Sequence, residues 1–439
     1  MKKLILLSLF LFTSGVGHSQ VKVHIGKCDE TVYPVTPNET NSLDELLPVE
    51  KFVKEKEIVG MGEATHGTKE FFNMKAKMFK FLATHCGFRV FAIEATYGGT
   101  LKINDYVLYG KGDVLSAMKG MEFWTWDTEE VKELIEWMKR YNQEKPDGKK
   151  LKFYGFDCQS FKGPNNALVD YVREVDPDHL DEFTKGLSVL NDSSYLYFYT
   201  LNDGKSKRSE VSAIHQIITF ADSWFKEKRD TYISRSNKER YDLAFYNIEN
   251  LRQALLLKDN ASYNYFYHRD SCMAQNIKWI HEFENAKVFA WAHNGHICKW
   301  SPYSSANFRS MGSYLNDLFG ESYYNIGFVF SEGNFQAYDW PTAKIKKGLQ
   351  EFTVPVSKKN TLTNAFALSG MSSFFINLDS SDNPFFSTAQ RYYNIGAVYM
   401  ADKRCSQKMV AKKQFDALIF VDKTTRAIPV KREVSKTGT

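Results

Sequence analysis

Short, β-rich, almost uninterrupted apolar runs constrain the fold of this chain more than any other feature. They are "EIVGMGE" (57–63), "FRVFAIEA" (88–95), "LKFYGFD" (151–157), "KVFAWAHN" (287–294), "YYNIGFVFSEG" (323–333), "SSFFINL" (372–378) and "DALIFVD" (416–422). A strand with one wet face alternates apolar and polar residues; these runs do not alternate, so both of their faces must be covered. Long stretches separate the earlier runs, which predicts an α/β fold with a mainly parallel sheet flanked by helices. The last runs follow one another with little helix between them, so the sheet is expected to carry an antiparallel edge. With 43% hydrophobic and 25% charged residues in 439, the chain has enough apolar material to bury a sizeable core.

Two of the intervening stretches have clear helix signals. "TKEFFNMKAKMFKFLATHCGF" places apolar residues at helical spacing and stops at Gly87. "WDTEEVKELIEWMKRYN" opens with Asp127 and carries Glu130 three residues on, a capping-box-like start. The interval from about 161 to 287 is too long for one crossover. It is expected to be a helical insertion over the active-site end of the sheet, within a single α/β domain covering 21–439. Its aromatic clusters "YLYFY" (195–199) and "YNYFYHRD" (263–270) either line an apolar pocket or simply pack helices together.

The first twenty residues combine two lysines, an apolar run over 4–12 and a small or polar stretch up to Gln20, the layout of a secretory signal peptide. That run is too short for a permanent membrane span. No cysteine near the cleavage region offers a lipid attachment point. The expectation is an exported protein, periplasmic or secreted, without a membrane partner once the signal is removed. Six cysteines without a CxxC pair exclude zinc-ribbon and thioredoxin-like readings but select no disulfide pairing. A net charge of +5 with no block of Lys or Arg argues against a nucleic-acid partner.

The polar residues that fall where the apolar runs stop are the candidates for chemistry. Glu63 and His66 follow the first run, Glu94 closes the second, Asp157 and Gln159 follow the third, and His293, Asn294 and His296 follow the fourth. In a parallel sheet all of these project from one edge, where open α/β folds bind ligands. A GxSxG elbow, an HExxH helix and a Gly-rich phosphate loop are all missing from the sequence. Carboxylates and histidines without an evident Ser or Cys nucleophile leave two routes open: general acid–base activation of water, or a metal site.

The residues also carry a resemblance. "GEATHGTKEFF", "FAIEA", "INDYVLYGKGD", "FWTWDTEEVKELIEWMKRYN", "HRDSCMAQNIKWI", "AWAHNGHI" and "MGSYLNDLFGESYYNIGF" occur in the order and spacing of the erythromycin esterase family, from about 43 to at least 332. The resemblance implies metal-free and cofactor-free hydrolysis of an ester or macrolide lactone. By the matching motifs His66 is the general base on water and Glu63 orients its imidazole. Glu94 is a further active-site carboxylate, and His293 is the donor to the oxyanion or the leaving alcohol. His296 either shares that work or supports it from behind. Where some members carry an arginine after the first motif, this chain has Lys75, placed by the resemblance among groups that recognise substrate oxygens. Arg269 either binds substrate or pairs with Asp270.

Two rival readings use the same residues. A metal-dependent hydrolase could take ligands from Glu63, His66, Glu94, His293 and His296, although they show no recognised ligand spacing. An exported protein that binds a small hydrophobic ligand without turning it over is the other. Substrates other than macrolides stay open, as does the oligomeric state.

Overall fold

The structure is a computed structural model that describes residues 31–38, 42–191, 208–259, 265–301, 309–339, 349–355, 361–400 and 405–432. The signal-like start, Cys28, the aromatic run 195–199 and the side chains of 261–267 lie outside the described residues.

The apolar runs pair as strands. In chain order these are β1 (Val32–Pro34), β2 (Ile58–Met61), β3 (Val90–Thr96), β4 (Lys152–Asp157), β5 (Val288–Trp291), β6 (Tyr323–Asp339), β7 (Gln350–Val354), β8 (Ser373–Asn377), β9 (Gln390–Tyr393), β10 (Val398–Tyr399), β11 (Ser406–Met409) and β12 (Ala417–Thr424). The main sheet runs β1-β8-β12-β6-β2-β5-β3-β4, with β7 and β10 added to the long strand β6, while β9 and β11 form a separate ribbon. From β12 to β4 every pairing along this order is parallel. The antiparallel edge is made by β8 and β1. Every residue of β2, β3, β5 and β8 is buried, as strands covered on both faces must be.

Successive residues of the central strands feed two different cores. Val59, Met61, Phe91, Ile93, Phe289 and Trp291 pack with the helices Lys69–His85 and Glu129–Gln143. Their neighbours Ile58, Val90, Ala92, Val288 and Ala290 pack with the helices Tyr265–Glu284 and Met311–Phe319 on the other side. The described residues of the interval 161–287 are mainly helical and build a third core of their own around Leu168, Phe183, Ile214, Phe225 and Leu251. Its final helix, Tyr265–Glu284, returns to the sheet and packs on β4, β3 and β5.

Helix boundaries follow local chemistry. Lys69–His85 ends at Cys86, and Gly87 takes φ +76°, the left-handed conformation that glycine enters without steric cost. Glu129–Gln143 is capped by Thr128, whose side chain accepts from the backbone N–H of Val131, so Asp127 is not the cap. Asp127 instead pairs with Arg432 near the C-terminus, and the Glu130 carboxylate accepts from the N–H of Ile428. A tertiary contact has taken both residues that looked like a local capping box. Among the described residues no helix is long and apolar enough to cross a membrane.

Candidate active site

Four neighbouring parallel strands, β2, β5, β3 and β4, deliver the polar residues to one edge. Met61, Trp291 and Ile93 stand in register across three of them, so Glu63 and His293 leave the sheet at the same level, two residues further on. Between β3 and β4 the register slips: Ile93 faces Gly155 while Thr96 faces Asp157, which leaves one extra residue on β3. This bulge contains Glu94, and bulges re-aim a side chain in just this way. The glycines of the first motif are set by close approach. A Cβ on Gly62 would lie 2.1 Å from the Asn294 Oδ1, and one on Gly67 would lie 2.2 Å from the carbonyl oxygen of Gln336.

Glu63 is fully buried and fully used. Its Oε1 lies 2.6 Å from His66 Nδ1, and its Oε2 accepts from Lys75 Nζ at 2.7 Å and from the Trp291 indole at 2.9 Å. With Nδ1 donating to the carboxylate, the imidazole is fixed in one orientation and one tautomer. Nε2 of His66 has no protein partner among the described residues. The ring lies 4.9 Å from that of His293 and meets Trp126 edge-on at 6.0 Å. Lys75 does not reach toward substrate: it is completely buried behind Glu63, also donates to the carbonyl of Ala292 at 3.2 Å, and lies 4.5 Å over the Trp291 ring. Burial pushes its pKa down to about 8 against the opposing charge of Glu63.

The second cluster centres on Arg269. Its guanidinium donates to both oxygens of Asp157, at 3.0 and 2.8 Å, and to Glu94 Oε1 at 2.7 Å. It therefore pairs with Glu94 and Asp157, and Asp270 is not its partner. Asp270 turns to His296, with its oxygens 2.9 and 3.0 Å from Nδ1, and accepts from the N–H of Met311 at 2.8 Å. The other nitrogen of His296 lies 2.9 Å from Arg269 Nη1 and 3.3 Å from Glu94 Oε1. Glu94 Oε2 accepts from the backbone N–H of His293 at 2.9 Å, and Trp126 donates to the Glu94 carbonyl at 2.8 Å. Burial alone would raise the pKa of Glu94, but the charges of His296, Arg269 and His66 overcome it and hold the carboxyl well below its usual range.

The remaining predicted residues divide by what holds them. His293 is the N-cap of the short helix Asn294–Ile297, its Nδ1 accepting from the Gly295 N–H at 3.2 Å. Its Nε2 lies 3.3 Å from the carbonyl of Ile395. Asn294 clamps β6, donating to the Phe328 carbonyl at 2.8 Å and accepting from the Phe328 N–H at 3.0 Å; the side chain belongs to the scaffold and not to the crevice. Gln159 donates to Asp157 at 2.6 Å. The structure thus brings Glu63, His66, Glu94, His293 and His296 together, places Asp157 and Gln159 behind Arg269, and withdraws Lys75 and Asn294 from the surface of the site.

Several contributors were not read from the sequence. Asp270 stood beside Arg269 in "HRD" and its offset could have singled it out, since neighbours on a helix point in different directions. Trp126, Trp291 and the backbone of Ile395 gave no local signal. The cysteines 86, 158, 272 and 298 are buried free thiols, and Cys405 is buried as well. Among the described residues no group of three or more His, Cys, Asp or Glu side chains is placed to hold a metal ion. A cavity of about 370 Å³ along the helices Tyr97–Tyr109, Lys162–Val175 and Lys238–Asp259 is lined by none of the strand-end histidines or carboxylates.

Comparison with known proteins agrees with this architecture. The family model described as erythromycin esterase matches residues 83–424. A putative hydrolase, YbfO, from Bacillus subtilis is 25% identical over 415 residues, covering 88% of each chain. The erythromycin esterase type II of Escherichia coli is 22% identical over 410 residues, covering 88% of this chain and 94% of its own. Among solved structures, a Bacillus cereus protein superposes with a TM-score of 0.77 at 22% identity, over 91% of this chain and 97% of that one. A mutant of the erythromycin esterase EreC in its open conformation superposes with a TM-score of 0.66 at 18% identity, over 92% of this chain and 100% of its own.

Proposed function

Because the chain belongs to the erythromycin esterase family, we propose that this hydrolase opens the lactone ester of a macrolide by activating water at His66. The observation that carries the reading is the state of that imidazole. Nδ1 is tied to a buried carboxylate, itself braced by Lys75 and Trp291, while Nε2 is left without a protein partner among the described residues. A histidine held this way takes a proton from water through Nε2 as the water oxygen bonds to the ester carbonyl carbon. The carbon–alkoxide bond then breaks, and the departing oxygen takes up a proton.

Metal-independent catalysis fits the chemistry of the donor set. Glu63 is ion-paired to Lys75, and Glu94 and Asp157 to Arg269. A cation entering here would have to displace a protein cation already bonded to the same oxygens. The proposal also places the mature protein outside the cytoplasm, on the layout of residues 1–20; the N-terminal sequence of protein recovered from the exported fraction tests that point.

Mass spectrometry of the protein incubated with macrolides of different ring size tests the reaction, with His66→Asn in parallel. A product heavier by one water with the wild type only is the expected result. Wild-type turnover by the variant overturns the role of His66. No product from any macrolide, with folded protein, moves the substrate to other esters of natural products.

A further inference from the structure

The two histidines at the end of β5 differ in what their nitrogens can do. Both nitrogens of His293 are occupied by main chain, Nδ1 by the Gly295 N–H and Nε2 by the Ile395 carbonyl. Burial, reinforced by the charges of His66 and His296, holds its pKa well below the ordinary histidine value. His293 is therefore neutral, and its single N–H is directed at a carbonyl.

His296 stands in the opposite situation. Asp270 is fully buried, reaches Nδ1 with both oxygens, and is itself fixed by the N–H of Met311 at the start of the next helix. No lysine or arginine forms an ion pair with Asp270 among the described residues, so the imidazole is its counter-charge. Nε2 faces Glu94 Oε1 and Arg269 Nη1, in the same polar crevice as the His66 and His293 rings.

We propose that His296 is the proton donor to the departing alkoxide, and that Asp270 is the positioning residue that orients it and balances its charge. This rests on the esterase reading above. The recorded contacts are those of the ring with Nε2 accepting, since an arginine N–H only donates. As a cation, His296 donates from Nδ1 to Asp270 and from Nε2 toward Glu94 Oε1, 3.3 Å away, with Arg269 Nη1 turned off the nitrogen. Once the Nε2 proton has passed to the alkoxide oxygen, as the carbon–oxygen bond breaks, the bare nitrogen accepts from Arg269 Nη1 at 2.9 Å. Protons balance over the cycle: the one taken from water by His66 is returned to solvent, and one is recovered at His296.

The charged groups that face His296 agree with this role. Asp270 and Glu94 favour the cation, while burial and the Arg269 guanidinium oppose it; the His293 ring, 6.5 Å away, is neutral and takes no side. Burial is the largest single influence, yet the two carboxylates outweigh it and the pKa of His296 is raised. Arg269 opposes weakly because Asp157 and Glu94 already share its charge.

Two esters with the same acyl group, one of an alkyl alcohol and one of 4-nitrophenol, test the proposal. An alkoxide must be protonated as it leaves, whereas a nitrophenolate leaves without help. The ratio of alkyl to aryl turnover is expected to fall roughly a hundredfold in His296→Gln and about tenfold in Asp270→Asn. Asp270→Asn keeps an oxygen for the Met311 N–H, and Asp270→Glu should recover part of the loss. In Asp270→Asn the alkaline limb of kcat for the alkyl ester should move to lower pH, because a ring without its carboxylate loses its proton sooner. Equal losses on both esters overturn the donor role. NMR titration of labelled histidine rings needs no turnover. If the wild type cleaves neither ester and opens no macrolide, the esterase reading fails, and the titration decides the role of Asp270 alone. A His296 that titrates no lower in Asp270→Asn than in the wild type overturns it.

Discussion

His66 and His296 each lean on a carboxylate, and the two pairs differ in what stands behind that carboxylate. Glu63 lies three residues from His66, and its second oxygen is shared by Lys75 and Trp291. Asp270 lies 26 residues before His296, on another helix, and among the described residues receives one backbone N–H besides the imidazole. In the first pair the histidine competes with a full cation for the carboxylate charge; in the second it has that charge to itself. On the mechanism proposed above, that contrast prepares the two histidine–carboxylate pairs for opposite proton transfers, one accepting and one donating.

The most severe way to break the comparison is His66→Asn. Turnover should fall by roughly 10²- to 10⁴-fold, with the thermal melt unchanged. A variant that retains wild-type rates would leave the first pair without a catalytic purpose.

Removing the cation of the second half comes next. Arg269→Met leaves Glu94 and Asp157 buried without their partner, and a buried pair broken from one side costs about 3–5 kcal/mol, to be read from urea denaturation. A loss near zero would mean that solvent reaches these carboxylates. The same cluster predicts the response to acid. Glu94 has a folded pKa well below the ordinary glutamate value of 4.5, so its contribution is complete above about pH 5 and is lost as the pH falls below 4.5. In Glu94→Gln that part of the acid dependence should be missing.

The cation of the first half gives a smaller effect, at higher pH. The pKa of Lys75 is lowered from 10.5 to about 8, so between those values the unfolded chain holds a proton that the folded protein lacks. Stability should therefore rise with pH across that window, by an amount of order 3 kcal/mol. Lys75→Arg, which does not titrate there, should remove the rise; an identical profile in the two proteins would show that Lys75 keeps an ordinary affinity for its proton. The smallest expected change is none. Exhaustive dialysis against a chelator should leave turnover within about twofold, well short of the loss expected from removing a catalytic group, and a larger loss restored by added metal would replace this account with metal-assisted hydrolysis.

Much of the fold was legible in the sequence because it depends on short-range pattern. The main strands emerged from continuous apolar runs, and the antiparallel edge from the missing helices near the C-terminus. β6 is longer than its apolar run, because residues 334–337 are held by pairing with β7, a strand that alternates and therefore lacked the buried-strand signature, and residues 338–339 by pairing with β10. The site divides in the same way. Glu63 and His66 interact three residues apart, within reach of motif reading. Lys75, Arg269 and Asn294 stood out by their chemistry but their partners did not, because Glu63, Glu94 with Asp157, and Phe328 reach them only through the fold. A side chain's type is written at its own position; which neighbour satisfies it is decided elsewhere in the chain.

The peptide unit at Ile395 carries this furthest. Its N–H donates to the carbonyl of Ala64, inside the turn that holds Glu63 and His66, and its own carbonyl faces His293. One main-chain residue from the C-terminal quarter thus touches two of the loops that build the crevice, and it does so with atoms every amino acid has. What the crevice measures there is chain length. A single residue added or removed between β8 and β9 would displace this peptide by about 3.3–3.6 Å, more than a hydrogen bond can follow. Evolution can therefore vary the composition of that connection far more freely than its length, although surface connections elsewhere commonly tolerate insertions.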